Sequence, residues 1–446
     1  MEQQNVTPIY FVSLGCDKNL VDSEMMITSL REQGFRLVNE ETEAEVIVVN
    51  TCCFIGDAKE ESINTLLEMA SYKETAKCKL LVAAGCLAQR YHKEIQTEIP
   101  EVDIIVGTMG YENLAETIRG ELKEHQGVVE TLQNIDYLTN RDSMSGGYYA
   151  YLKIAEGCDK CCTYCVIPKV RGHYRSVPME NLLAQAEHLV QNGAKELILV
   201  AQETTLYGVD LYGHKSLPEL LEKLSELEEL KWIRILYCYP EEITKELVHA
   251  IKTLPKVCHY LDIPIQHGSD GILKRMGRRT NSKELRDMVH YLRQEIPDIA
   301  LRTTLITGFP GESEQDFEQL KEFVEELRFD RLGVFTYSRE EDTPAAAMEE
   351  QVPEEVAEKR RDEIMQIQQK IAFEKTSAQI GRALEVMVEG ALPEDGVYIT
   401  RTYMDAPEVD GYVFVATDWN LMSGDFLNVK ITGADEYDLI GEVIEE

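Results

Sequence analysis

Three short apolar runs near the N-terminus end in the same way: "IYFVSLGC" at Cys16, "EVIVVNTC" at Cys52 and "KLLVAAGC" at Cys86. Each is brief, rich in β-branched residues and free of polar alternation, the pattern of a strand buried on both faces. Between them the period changes. "DSEMMITSLREQG" starts acidic and stops at glycine, and "DAKEESINTLLEMASYKE" spaces its apolar residues as a helix does. Strand–helix–strand alternation predicts an open parallel sheet with right-handed crossovers. In such a sheet the C-terminal strand ends share one edge, where ligands bind. Cysteines 36 and 34 positions apart are therefore expected to meet there. The plainer alternative is three buried thiols that only fill space.

After a Gly- and Ser-containing stretch over residues 139–149, read as a linker, the alternation resumes. "AYLKIAEG", "ELILVAQ", "WIRILYCYP", "YLDIPIQ", "ALRTTLITG" and "RLGVFTYS" predict six strands, with helical patterns such as "NSKELRDMVHYLRQEI" between them. Six units are too few for an eight-stranded barrel, so an open, partial (β/α)6 barrel is expected. A long charged helix is predicted over 354–376. The last seventy residues carry short runs such as "LEVMVEG" and "FLNVKITG", which predict a small antiparallel β-barrel of the oligonucleotide-binding kind. The fold class is α/β with that barrel appended, in three domains: 1–138, 145–375 and 377–446.

Charge changes the picture of the partner. The chain has 45 basic and 80 acidic residues, a net charge of −35. The last seventy residues hold three basic residues (Arg382, Arg401, Lys430) against fifteen acidic ones, a net charge of −12. Phosphate backbones are bound by Lys and Arg, so nucleic acid is not expected as a direct substrate, and a basic protein is. No run of about 18 apolar residues predicts a membrane span, and no secretory signal is expected. Eleven cysteines in such a chain point to metal binding or catalysis in a reducing, cytoplasmic setting rather than to disulfides.

Four of those cysteines lie in "IAEGCDKCCTYCVIPK", residues 154–169. Read as two C-x2-C pairs they suggest zinc, but zinc sites separate such pairs by a dozen or so residues. Here the pairs abut, and adjacent side chains tend to point different ways. Read as C-x3-C-x2-C, Cys158, Cys162 and Cys165 supply three thiolates to an iron–sulfur cubane and leave one iron open for a substrate or cofactor.

The C-x3-C-x2-C segment resembles the radical S-adenosylmethionine superfamily. "SLGCDKNLVDSE", "NTCCFIGDAKEESI", "AAGCLAQRY", "AEGCDKCCTYCVIPKVRG" and "LITGFPGE" further resemble the methylthiotransferases. The resemblance implies an N-terminal methylthiotransferase domain, a radical domain and a TRAM barrel. It implies two [4Fe-4S] clusters, one on Cys158, Cys162 and Cys165 that binds S-adenosylmethionine, and one on Cys16, Cys52 and Cys86 that carries sulfur. Tyr164 and Val166 flank the last radical ligand, where backbone groups meet adenine in the superfamily. Glu203 is placed to accept from the cofactor's amino group, and Gln266 to reach its ribose or methionine part. Gly308 and Gly311 permit close approach to the cofactor or serve as plain turn residues. His267 reads as a loop cap, and no catalytic residue is assigned beyond the clusters. Cys53, Cys78, Cys238 and Cys258 read as ordinary buried thiols. Cys53 and Cys161 lie outside the family pattern, and Asp17 stands where a proline or small residue is expected.

The family has two branches, one acting on a tRNA adenosine and one on an aspartate of small-subunit ribosomal protein S-twelve. "AQETTLYGVDLYG" and "RTYMDAPEVDGYVFV" resemble the second, and the acidic barrel agrees, because ribosomal proteins are basic. The expected reaction adds a methylthio group to the aspartate β-carbon. It needs a sulfur donor and an electron donor such as flavodoxin or ferredoxin. The tRNA branch and a non-enzymatic iron–sulfur carrier remain the competing readings. The spacing predicts that Cys161→Ser keeps iron, acid-labile sulfide and activity after anaerobic reconstitution, whereas Cys162→Ser loses them. Loss of iron from Cys161→Ser would assign the triad differently.

Overall fold

The N-terminal strands are β1 (Pro8–Ser13), β2 (Arg36–Leu37), β3 (Val46–Thr51), β4 (Leu80–Ala84), β5 (Ile104–Val106) and β6 (Val128–Glu130). In this computed structural model they form one parallel sheet in the order β2-β1-β3-β4-β5-β6. Residues 6–108, 113–124, 128–130, 139–392 and 396–445 are described. Every residue of β3 and β4 is buried, which is why neither alternates. Helices α1 (Asp17–Glu32), α2 (Gly56–Thr75) and α3 (Gly85–Arg90) follow β1, β3 and β4. Strands β2, β5 and β6, of two or three residues each, are too short to leave a periodic signal.

The chain divides into two compact units. One holds Met1–Met144, Tyr151–Cys161 and Cys165–Leu189, and the other holds Ser145–Ala150, Cys162–Tyr164 and Val190–Glu446. The expected end of the first domain at residue 138 lies outside the described residues. The linker reading needs correction in its first half. Arg141 is fully buried and ion-paired with Glu24, and the Met144 N–H donates to Glu24 Oε1 at 2.6 Å. These bonds pin residues 141–144 to α1. The glycine signal that suggested freedom begins only at Gly146.

Strand β7 (Tyr149–Lys153) is followed in the first unit by a two-stranded antiparallel sheet of β8 (Ala155–Glu156) and β9 (Arg175–Ser176). The second unit holds β10 (Glu196–Val200), β11 (Trp232–Ile235), β12 (Val257–Gln266), β13 (Ala300–Thr307) and β14 (Arg331–Thr336), paired in parallel. The sheet order β14-β13-β12-β11-β10-β7 is open, as six strand–helix units predict. Capping boxes start two of its helices, Asn281 with Glu284 and Ser313 with Asp316. The long helix runs Glu354–Ser377. Among the described residues no helix is long and apolar enough to cross a membrane.

The C-terminal barrel is closed, in the order β15-β16-β17-β19-β18, from β15 (Ala383–Leu392), β16 (Val397–Thr402), β17 (Val413–Ala416), β18 (Phe426–Asp435) and β19 (Asp438–Val443). It is not wholly antiparallel: β17 and β19 pair in parallel, which closes the five-stranded ring. Strand β19, "DLIGEV", gave no sequence signal because glycine and charge interrupt its apolar positions.

Buried charge joins this barrel to the six-stranded sheet. Glu196 on β10 is fully buried and binds Arg234 Nε at 2.7 Å and the Arg401 guanidinium from β16. Arg401 also binds Glu389 at 2.6 Å and the Asp405 carbonyl at 2.8 Å. Arg234 donates to the Tyr403 carbonyl at 2.7 Å, and Trp232 meets Phe426 edge-on at 4.9 Å. Burial alone would raise the Glu196 carboxyl, but Arg401 and Arg234 outweigh it and hold it below its ordinary value.

Glu196→Ala strands two buried guanidiniums and is expected to cost about 3–5 kcal/mol in chemical denaturation. Because the folded carboxyl is depressed, its stabilisation is complete above the ordinary value of 4.5 and is lost as pH falls below it. Glu196→Gln should flatten that acid limb of the stability profile. An unchanged limb counts against the assignment.

Candidate functional site

Strands β1, β3 and β4 are neighbours and parallel, so their C-terminal ends lie side by side. Cys16 is the N-cap of α1, Cys52 follows β3 directly, and Cys86 lies in the first turn of α3. Leu14 N–H donates to the Asn50 carbonyl at 2.9 Å, and Thr51 bridges Gly85. The loops interlock closely. Gly15 has φ +89°, and a Cβ there would stand 2.7 Å from Cys52 Cβ and 2.9 Å from its Sγ. Gly85 has φ +88°, and a Cβ there would stand 2.2 Å from Asn50 Oδ1. Both loops therefore require glycine before the cysteine.

Asn19 draws these loops together. Its Nδ2 donates to the carbonyls of Leu14 at 2.7 Å and Thr51 at 3.1 Å, and its Oδ1 lies 4.0 Å from Cys86 Sγ. Burial pushes the Cys52 and Cys86 thiols up, and the nearby Arg171 guanidinium opposes that shift.

Of the radical loop, Cys158 follows β8 and its N–H donates to the Gly172 carbonyl at 3.2 Å. Cys161 is exposed with φ 55°, whereas Cys162 is buried, so the adjacent thiols have different surroundings. Cys162 Sγ lies 3.7 Å from Tyr239 Oη and 3.8 Å from Arg278 Nη1. Arg278 stacks over the Tyr239 ring at 4.4 Å and donates to the Pro264 carbonyl at 2.8 Å. Thr163 is held by Met276 and Arg275 carbonyls and itself accepts from Ala345 N–H. Tyr164 meets Phe309 edge-on, and Cys165 is half-buried. Val166 is buried in the core of the first unit with Val170 and Leu87.

The remaining candidates in the second unit stand at or just past the C-terminal ends of parallel strands. Glu203, after β10, is fully buried, and its Oε1 accepts from Thr205 N–H at 3.0 Å and from the Thr205 hydroxyl. Gln266 ends β12 with φ 76°. His267 is fully buried; its Nδ1 accepts from Ser269 N–H at 3.0 Å and its Nε2 faces Glu312 at 3.6 Å. Gly308, after β13, donates to Glu312 at 2.8 Å. A Cβ on it would stand 2.2 Å from Ala357 Cβ, so the long helix supplies a packing reason for this glycine.

Among the described residues no three His, Cys, Asp or Glu side chains close around a single-ion position. A cubane presents a separate corner iron to each thiolate, so its ligands stand farther apart than those of one ion. Three soft sulfur donors at one sheet edge, with a glycine-lined loop and a buried cation, fit that larger group.

Comparison with known proteins agrees with the geometry. Residues 8–107 match uncharacterized protein family UPF0004, residues 152–324 the radical SAM superfamily and residues 380–444 the TRAM domain. Ribosomal protein uS12 methylthiotransferase RimO of Lachnoclostridium phytofermentans is 62% identical, over 97% of this chain and 99% of that protein. The protein of that name from Clostridioides difficile is 50% identical over 97% of this chain and 98% of its own. The chain belongs to the uS12 methylthiotransferase family. Among solved structures, radical S-adenosylmethionine methyltransferase TsrM from Kitasatospora setae, with cobalamin and a [4Fe-4S] cluster bound, has a TM-score of 0.57 at 14% identity. It covers 76% of this chain and 74% of that chain, and shares the fold.

Sequence reasoning within this family missed Asn19, Arg171, Tyr239 and Arg278. For Asn19, Arg171 and Arg278 the signal was present in "CDKNLVDSE", "PKVRG" and "RMGRRT", but a polar or basic residue in such a motif reads as solvated until its burial is known; Tyr239, in "WIRILYCYP", reads as part of a strand. Gly15→Ala is expected to lower iron content to that of Cys52→Ala, while Gly56→Ala, which meets nothing within 4 Å, leaves it unchanged. Retention of full iron by Gly15→Ala would show that the loop tolerates the added Cβ.

Proposed function

We propose that the chain is a radical S-adenosylmethionine methylthiotransferase that adds a methylthio group to the β-carbon of an aspartate in ribosomal protein uS12. The observation that carries this reading is the pair of cysteine triads, Cys16–Cys52–Cys86 and Cys158–Cys162–Cys165, in a chain of the uS12 methylthiotransferase family. Each triad has one cysteine fewer than a cubane has irons. When bound, two [4Fe-4S] clusters and S-adenosylmethionine supply an electron, a methyl group and a held sulfur.

The chain's own residues bind, orient and exclude water. Glu203 and Gln266 hold the cofactor's polar groups at the ends of β10 and β12, Tyr164 and Val166 flank its adenine, and the Gly308 backbone lies beside it. Buried Cys52, Cys86 and Cys162 keep their ligand positions away from solvent.

The barrel supports a protein substrate. Of its three basic side chains, Arg401 is buried against Glu196 and Glu389, so only Arg382 and Lys430 remain outside on a strongly acidic surface. Such a surface attracts a basic ribosomal protein and repels tRNA phosphates. The chemistry requires a sulfur donor and a one-electron donor such as flavodoxin or ferredoxin, and it belongs in the cytoplasm, where thiols stay reduced.

The test is anaerobic turnover with reductant, S-adenosylmethionine and sulfide, offering uS12 and tRNA in separate reactions followed by mass spectrometry. The expected result is one methylthio group on a uS12 aspartate and none on tRNA. Modification of tRNA alone overturns the reading.

A further inference from the structure

Arg171 ends the short helix Ile167–Arg171, six residues past Cys165, and is 1% exposed. A cation so deeply buried needs partners. Its Nη1 donates to Asp22 Oδ2 and to Glu156 Oε2, each at 2.9 Å, and its Nη2 donates to Asn19 Oδ1 at 2.8 Å. Lys153 on β7 binds the same two carboxylates, Glu156 at 2.8 Å. Two cations and two anions thus form one buried, balanced set.

The set reaches both cysteine loops. Glu156 stands two residues before Cys158, and Asn19 three residues after Cys16. The Asn19 amide has one possible orientation here. A guanidinium only donates and the Leu14 and Thr51 carbonyls only accept, so Oδ1 must face Arg171 and Nδ2 must face the carbonyls. Arg171 therefore aims the amide that holds the loops of Cys16 and Cys52 and that lies 4.0 Å from Cys86 Sγ. Burial alone would pull the guanidinium's affinity for its proton down. The Cys86 sulfur, then Glu156, Asp22 and Cys16, instead push it well above its ordinary value. Through Asn19, bonded to it at 2.8 Å and 4.0 Å from Cys86 Sγ, the charge stands beside the Cys86 loop.

Stability alone does not ask for this arrangement, because well-packed apolar residues replace buried ion sets at no loss. Reduction adds an electron to a cluster, and a fixed positive charge beside it favours the reduced form. Without Arg171 the remaining set would carry a net negative charge, which acts in the opposite direction.

We propose that Arg171, held against Asn19, is a positioning residue that raises the reduction potential of a cluster on Cys16, Cys52 and Cys86. This rests on the reading that those three cysteines hold a cluster. The test uses the full chain carrying Cys158→Ala, Cys162→Ala and Cys165→Ala, reconstituted anaerobically so that a single cluster remains. Its iron content and its midpoint potential, from an EPR-monitored titration, are the readouts.

Arg171→Met is expected to shift the potential to more negative values, and Arg171→Lys to restore most of the shift, with iron content equal in both. An unchanged potential in Arg171→Met overturns the proposal. If Arg171→Met does not fold, Asp22→Asn, which keeps the guanidinium and removes one of its two counter-charges, is read in its place. A more positive potential then supports the proposal and an unchanged one overturns it. Absence of iron from the parent triple variant overturns the triad reading itself, and iron analysis separates that outcome from a failure of the Arg171 argument.

Discussion

Parallel pairing of β1 with β3 and of β3 with β4 is the constraint on which the N-terminal centre depends. It sets three C-terminal strand ends side by side, so cysteines far apart in sequence share one edge. The pairing in turn depends on burial of both sheet faces, because every position of β3 and β4 is buried, including the polar Asn50 and Thr51. The two glycines with positive φ, Gly15 and Gly85, follow from the same crowding. Each lets one loop pass the next at a distance that leaves no room for a Cβ.

The same logic serves the second unit. Its parallel strands bring Glu203, Gln266, His267 and Gly308 to one edge, where the segment Cys162–Tyr164 is also tied by backbone bonds to Met276 and Ala345. In the proposed reading a few polar side chains at these strand ends bind the cofactor, and the rest of the sheet holds them still. Fully buried charges are concentrated where elements must keep a fixed register: Glu196 with Arg234 and Arg401, and Asp22 and Glu156 with Lys153 and Arg171. In a chain of net charge −35, the buried cations Arg141, Lys153, Arg171, Arg234 and Arg401 are each matched to carboxylates, so they do not offset the acidity left outside.

Most of the architecture was legible because its signals are local. A buried strand, a capped helix and a cysteine spacing are each written within about ten residues. Strands β2, β5, β6 and β19 escaped because they are short or interrupted, and their existence depends on a neighbouring edge rather than on their own pattern. The linker reading failed at Arg141 for a related reason. Composition marks a segment as polar, but only the presence of Glu24 on a distant helix makes burial of that arginine possible.

By itself the sequence determined the family, the order of the domains and the acidity of the barrel, since residue type and short-range pattern carry these. Tertiary structure alone decided which charges go inside. Asn19 and Arg171 lie 152 positions apart, and neither has a reason to be buried until the other and two carboxylates are beside it. A buried charge is stable only in the company of its partners, and that company is assembled by the fold, not by neighbours in the chain.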